Sequence, residues 1–83
     1  MELKDVKIYT ICVKYEYDEG FCWDTNTMNI LDVTSSNAMK RAITACYDNN
    51  RDKKDIEVIS QEILSEINLI DVYNSDGVLN YHK

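Results

Sequence analysis

The 83-residue chain contains no proline, only two glycines, one histidine and three cysteines. Neither glycine belongs to a Gly-rich loop before a helix, so no phosphate cradle can be read. Both Gly20 and Gly77 instead sit where turns are expected, and no Gly/Ser linker, repeat or low-complexity block interrupts the chain. The single histidine, His82, is next to last, a position where chain ends fray, which leaves Ser–His or Cys–His chemistry without a base. Cys12, Cys22 and Cys46 are odd in number and form no C-x-x-C, so neither a disulfide framework nor a zinc site is indicated. Reduced cysteines in a cytoplasmic protein are expected. No window approaches the roughly 18 apolar residues of a membrane span, and Met1–Asp5 is too charged to open a signal peptide. Basic residues are scarce too: 9 Lys and Arg against 15 Asp and Glu leave a net charge of −6. Direct binding to nucleic acid or an anionic membrane is thereby disfavoured, since both need a cationic surface.

What is present suffices for one domain over residues 1–83, with 45% apolar residues to build its core. Residues 6–17 read as a strand. Val6, Ile8, Thr10 and Cys12 fall on one face, while Tyr9, Ile11, Val13, Tyr15 and Tyr17 fall on the other. Asp18-Glu19-Gly20 supplies a turn, and Phe21-Cys22-Trp23 starts a second strand, interrupted near Asp24-Thr25-Asn26 and resumed over 28–33. Thr34-Ser35-Ser36-Asn37 is a helix start. Ala38, Met39, Ala42, Ile43, Cys46 and Tyr47 then recur at helical spacing until Asp48-Asn49-Asn50. Ile56, Ile59, Ile63, Ile67 and Ile70 keep a 3-4-4-3 spacing, which predicts a second helix over 55–70. The β-branched run Ile56-Glu57-Val58-Ile59 could equally open a strand. Ile70–Tyr73 and Val78–Tyr81, flanking Asn74–Gly77, read as strand, turn, strand. The expected fold is α+β, roughly β-β-α-α-β-β, with helices on one face of a mostly antiparallel sheet.

No enzyme signature emerges. Asp48-x-Asn50-x-Asp52 resembles the opening of a calcium loop, but Lys53 stands where glycine is needed and Ile59 where a bidentate glutamate is needed. No cofactor or metal is expected. The charge is segregated, however. Tyr15–Met39 holds Glu16, Asp18, Glu19, Asp24 and Asp32 with no Lys or Arg, and Asp55–His82 holds six acids, again with no Lys or Arg. On a helix, Asp55, Glu62 and Glu66 would line one edge as an acidic ridge with a spacing near that of phosphates. Tyr15, Tyr17, Phe21 and Trp23 interleave with Glu16, Asp18, Glu19 and Asp24, combining aromatic anchors with acids that would select a basic partner.

These features point to a non-enzymatic, acidic protein-binding module. A concrete version is a phage or mobile-element inhibitor that mimics nucleic acid to block a basic, nucleic-acid-handling host protein. Anti-CRISPR proteins share this profile of small size and acidity, an analogy of profile without a shared motif. The alternative is a homodimer or larger assembly built through exposed strand edges.

Overall fold

The computed structural model describes residues 2–75. A short 3-10 turn, Leu3–Asp5, leads into β1 (Lys7–Tyr17), β2 (Cys22–Asp32), the helix α1 (Ser35–Asn49), β3 (Glu57–Asn68) and a two-turn helix α2 (Leu69–Ser75). The protein is thus a small α+β fold: one three-stranded antiparallel sheet in the order β2-β1-β3, with α1 across one face. The first strand in sequence is the central strand in space. Because β2 and β3 both run antiparallel to β1, they are parallel to each other, and α1 is the crossover that joins them.

The core follows from the alternation of β1. Tyr9, Ile11, Val13 and Tyr15 project under α1 and are buried with Ile30, Ala38, Ala42 and Cys46. Ala38, Ala42 and Cys46 are spaced i, i+4, i+8, one stripe of small side chains that lets the helix lie close to the large tyrosines. Thr34 caps α1, its hydroxyl accepting the Asn37 N–H at 3.2 Å. At the other end Asn50 is buried among polar groups. Its Oδ1 accepts from the Tyr15 hydroxyl at 3.1 Å, and its Nδ2 donates to Asn26 Oδ1 at 2.8 Å and to the Cys46 carbonyl at 2.7 Å. Burial raises the Tyr15 hydroxyl pKa above the ordinary tyrosine value, with a smaller contribution from the Asp24 carboxylate.

The expected interruption of the second strand does not occur, and β2 runs unbroken through Asp24–Asn26. Asp24 turns its carboxylate onto the Thr25 N–H at 2.8 Å, and Asn26 is absorbed by the Asn50 network. Phe21 belongs to the turn and not to the strand.

Residues 57–68 are a strand where a helix over 55–70 was expected. The isoleucines that carry the helical spacing do not share a face of this strand: Ile59 sits in a bulge, Ile63 faces α1 and Ile67 faces away. The register slips between Thr10 and Ile11 and between Lys14 and Tyr15, leaving Leu64 and Ile59 as the extra residues. The helix-facing positions are therefore Val58, Gln61, Ile63 and Glu66. Each bulge turns a spacing of two into three along this face. The strand expected over 70–73 is instead part of α2, which packs beside the Leu3–Asp5 turn, with Leu69 N–H donating to the Val6 carbonyl at 3.0 Å. The strand expected over 78–81, and His82, lie outside the described residues. No helix among the described residues is long and apolar enough to cross a membrane.

Candidate partner-binding surface

The turn joining β1 and β2 has an unusual backbone. Asp18 and Glu19 adopt left-handed φ values of 57° and 59°, followed by Gly20 at 88°. Gly20 N–H donates to the Tyr17 carbonyl and Phe21 N–H to the Asp18 carbonyl, closing a compact tip. Glycine suits its position because a side chain at that φ would be strained. The tip is anchored from the neighbouring loop, where the Lys54 carbonyl accepts the Asp18 N–H at 2.6 Å.

This loop length fixes which residues share a face. With Tyr17 opposite Cys22, odd-numbered residues of β1 pair with even-numbered residues of β2. Tyr15 therefore faces α1 with Asp24 across from it, whereas Trp23 lies on the open face across from Glu16. The four aromatics do not form one cluster. Tyr15 is core, and Tyr17 is half-buried against it with ring centroids 6.0 Å apart. Phe21 is 83% exposed at the tip and Trp23 is 64% exposed. Lys14 lies over the Trp23 ring at 4.6 Å and Lys53 over Tyr17 at 5.3 Å, so two nearby cations are drawn onto aromatic faces.

The acids of the hairpin are divided between the faces. Asp18 and Glu19 lie in the turn and Glu16 on the open face, where β3 brings Glu57 directly opposite it, whereas Asp24 lies on the α1 face. Like charges facing across a ladder are mildly destabilising, a cost the fold accepts here. Asp55, Glu62 and Glu66 are not brought together. Asp55 lies in the loop before β3, Glu62 is on the open face across from Cys12, and Glu66 is on the opposite face across from Tyr9. The acidic ridge required a helix, and a strand with alternating faces disperses it. Glu66 is moreover neutralised by Lys7 at 2.8 Å, a contact that raises the Lys7 pKa, its hydrogen bond contributing most.

Sequence reasoning did not find the buried Asn50 network, nor Arg41. The Arg41 guanidinium reaches the rim of β2, donating to the Leu31 carbonyl and to Asp32 Oδ2 at 3.0 Å. That contact, and next the Val33 N–H, hold the Asp32 carboxyl below the ordinary aspartate range. Beside it runs a groove of about 560 Å³ between β2 and α1, lined by Met28, Ile30, Arg41, Thr44, Ala45 and Asp48 among others. Among the described residues, no group of three or more His, Cys, Asp or Glu side chains could hold a metal ion. All three cysteines are free, with Cys46 buried and its thiol pKa pushed up by burial.

No protein-family model, curated protein or solved structure matches this chain.

Proposed function

We propose that this protein is a non-enzymatic binding module that presents its β1–β2 tip to a positively charged protein. The observation that carries the reading is the exposure of Phe21 and Trp23, at 83% and 64%, beside a turn that carries Asp18 and Glu19, with Glu16 across from Trp23. A small domain gains about 1.5–3 kcal/mol from burying a large apolar side chain. It leaves two of its largest in water at and beside an acidic turn. Aromatics of this kind are the usual anchors of interfaces, and the nearby Glu16, Asp18, Glu19 and Asp24 would steer a basic partner toward them. Nucleic-acid-handling proteins carry the most concentrated positive surfaces, and one of these is the partner class proposed. An inhibitor that occupies such a surface is the corresponding role.

The test is capture of partners at low and high salt by the native protein and by two variants. One variant is Phe21→Ser with Trp23→Ser. The other is Glu16→Gln, Asp18→Asn and Glu19→Gln, in which Asn tolerates the left-handed backbone at 18. A basic protein held by the native chain, released by salt and lost by both variants, is the expected result. Equal capture by all three proteins removes the tip from the proposal.

A further inference from the structure

We propose that β2 is a docking edge for a second copy of this chain, giving a two-fold dimer with one continuous six-stranded sheet. The inference is independent of the hairpin tip, which lies at one end of the strand.

The two outer strands differ in how their free edges are protected. β3 carries two bulges, and its Val58 N–H is taken by the Tyr47 hydroxyl at 3.2 Å. Bulges twist an edge away from further pairing. β2 pairs with β1 without any slip in register. Its outward groups can be identified from their partners. Asp18 N–H and the Val6 carbonyl, both on even-numbered residues at the ends of β1, turn toward β3 and its flanks. Odd-numbered residues of β1 then turn toward β2, and odd-numbered residues of β2 turn off the edge. The observed caps agree, since Leu31 offers its carbonyl to Arg41 and Thr25 its N–H to Asp24. Between these caps lie Thr27 and Asn29, whose outward N–H and carbonyl groups meet no partner among the described residues.

That window is complementary to itself. An antiparallel copy centred on Met28 sets Thr27 against the second copy's Asn29 and Asn29 against its Thr27. Each is a pair of the kind that exchanges both backbone bonds. Both caps can stay in place. The helix above the edge is complementary under the same axis. Arg41, Thr44, Ala45 and Asp48 form an i, i+3, i+4, i+7 stripe lining the groove. Two such stripes, antiparallel, bring Arg41 against Asp48 of the other copy at both ends, with the small Thr44 and Ala45 between them. Both side chains are more than half exposed, so a further ion pair is open to each. The groove itself would receive the second copy's half-buried Met28.

An interface of this short kind is at the small end of specific contacts, so dissociation in roughly the micromolar range is expected. The test is sedimentation velocity across concentration, with amide exchange at Thr27 and Asn29. The native chain should dimerise, and exchange at those two amides should slow as concentration rises. Thr27→Pro removes one outward donor from each copy while sparing the β1 ladder, and should weaken the dimer about thirtyfold. Asp48→Arg, on the exposed face of α1, sets Arg against Arg41 and should weaken it about tenfold or more without touching the strand. Circular dichroism checks that both variants fold. A native chain that stays monomeric to about millimolar concentration overturns the proposal and leaves the groove to a foreign strand or none. So does a dimer indifferent to both variants, or protection of Thr27 and Asn29 that does not change with concentration.

Discussion

Replacing Asn50 should cost far more than its position at the end of a helix suggests. Its side chain bonds to Tyr15, Asn26 and the Cys46 carbonyl, with a longer contact to the Cys46 sulfur, and the residue is only 5% exposed. Asn50→Ala strands the Tyr15 hydroxyl and the Cys46 carbonyl of the last helical turn, and leaves Asn26 Oδ1 only the Cys46 thiol at 3.5 Å. At about 1 kcal/mol for each bond, plus the burial cost of groups left unpaired, the loss is roughly 3–4 kcal/mol. Tyr15→Phe breaks one of these bonds and should cost about 1–2 kcal/mol. A domain of this length holds about 4–12 kcal/mol in total, so the first variant removes a large share and lowers Tm by roughly 15 °C or more. Urea unfolding followed by circular dichroism would give both values with an unchanged slope. The double variant should cost less than the sum, because the Tyr15–Asn50 bond is broken in each single variant. Strict additivity, or an Asn50→Ala variant no weaker than Tyr15→Phe, would refute the network as drawn.

Two further outcomes follow from polar groups elsewhere in the fold. The Asp32 carboxyl is held below its ordinary value chiefly by Arg41, so its stabilising contribution is complete above the unfolded aspartate pKa of about 3.9 and fades as pH falls through the lower folded value. Carbon-detected NMR should find Asp32 titrating late on acidification, and Arg41→Ala should move it upward; an unmoved titration would break the link. Gln61, facing α1 from β3, buries its Oε1 without a hydrogen-bond partner among the described residues. Gln61→Met keeps the shape and removes the unpaired acceptor, so stability should rise by about 1 kcal/mol in urea unfolding, whereas a loss would mean that the oxygen is satisfied.

Much of the fold is written locally and was legible for that reason. β1 alternates β-branched and aromatic residues, Gly20 marks the turn, and Thr34 and the Ala38–Ala42–Cys46 stripe mark α1. β3 was misread because the 3-4-4-3 spacing of Ile56, Ile59, Ile63, Ile67 and Ile70 is helical, whereas the strand places Ile59 in a bulge and turns Ile63 toward α1 and Ile67 away from it. No residue between 55 and 70 announces a bulge; the slip belongs to the pairing with β1. The same applies to Asn26 and Asn50, each ordinary in its own segment and informative only once α1 lies over β2. At the candidate surface, the acids and aromatics of the hairpin were visible, but the parity of the turn decided that Trp23 faces outward and Tyr15 inward. The dispersal of Asp55, Glu62 and Glu66 follows from the misread strand.

The position of β1 also governs the order in which the chain can fold. Its contacts with β2 are local, closing through a short turn, whereas those with β3 join residues as distant as Lys7 and Asn68. Long loops close late, so the hairpin and α1 form a first unit while β3 is still searching. During synthesis that interval lengthens, because the hairpin leaves the ribosome well before β3 does. Until β3 arrives, one whole side of an apolar, β-branched strand stands unpaired, which is the hazard that drives aggregation of incomplete chains. Lys7 and Lys14, at either end of Ile8–Val13, place charge beside that segment and act as its gatekeepers.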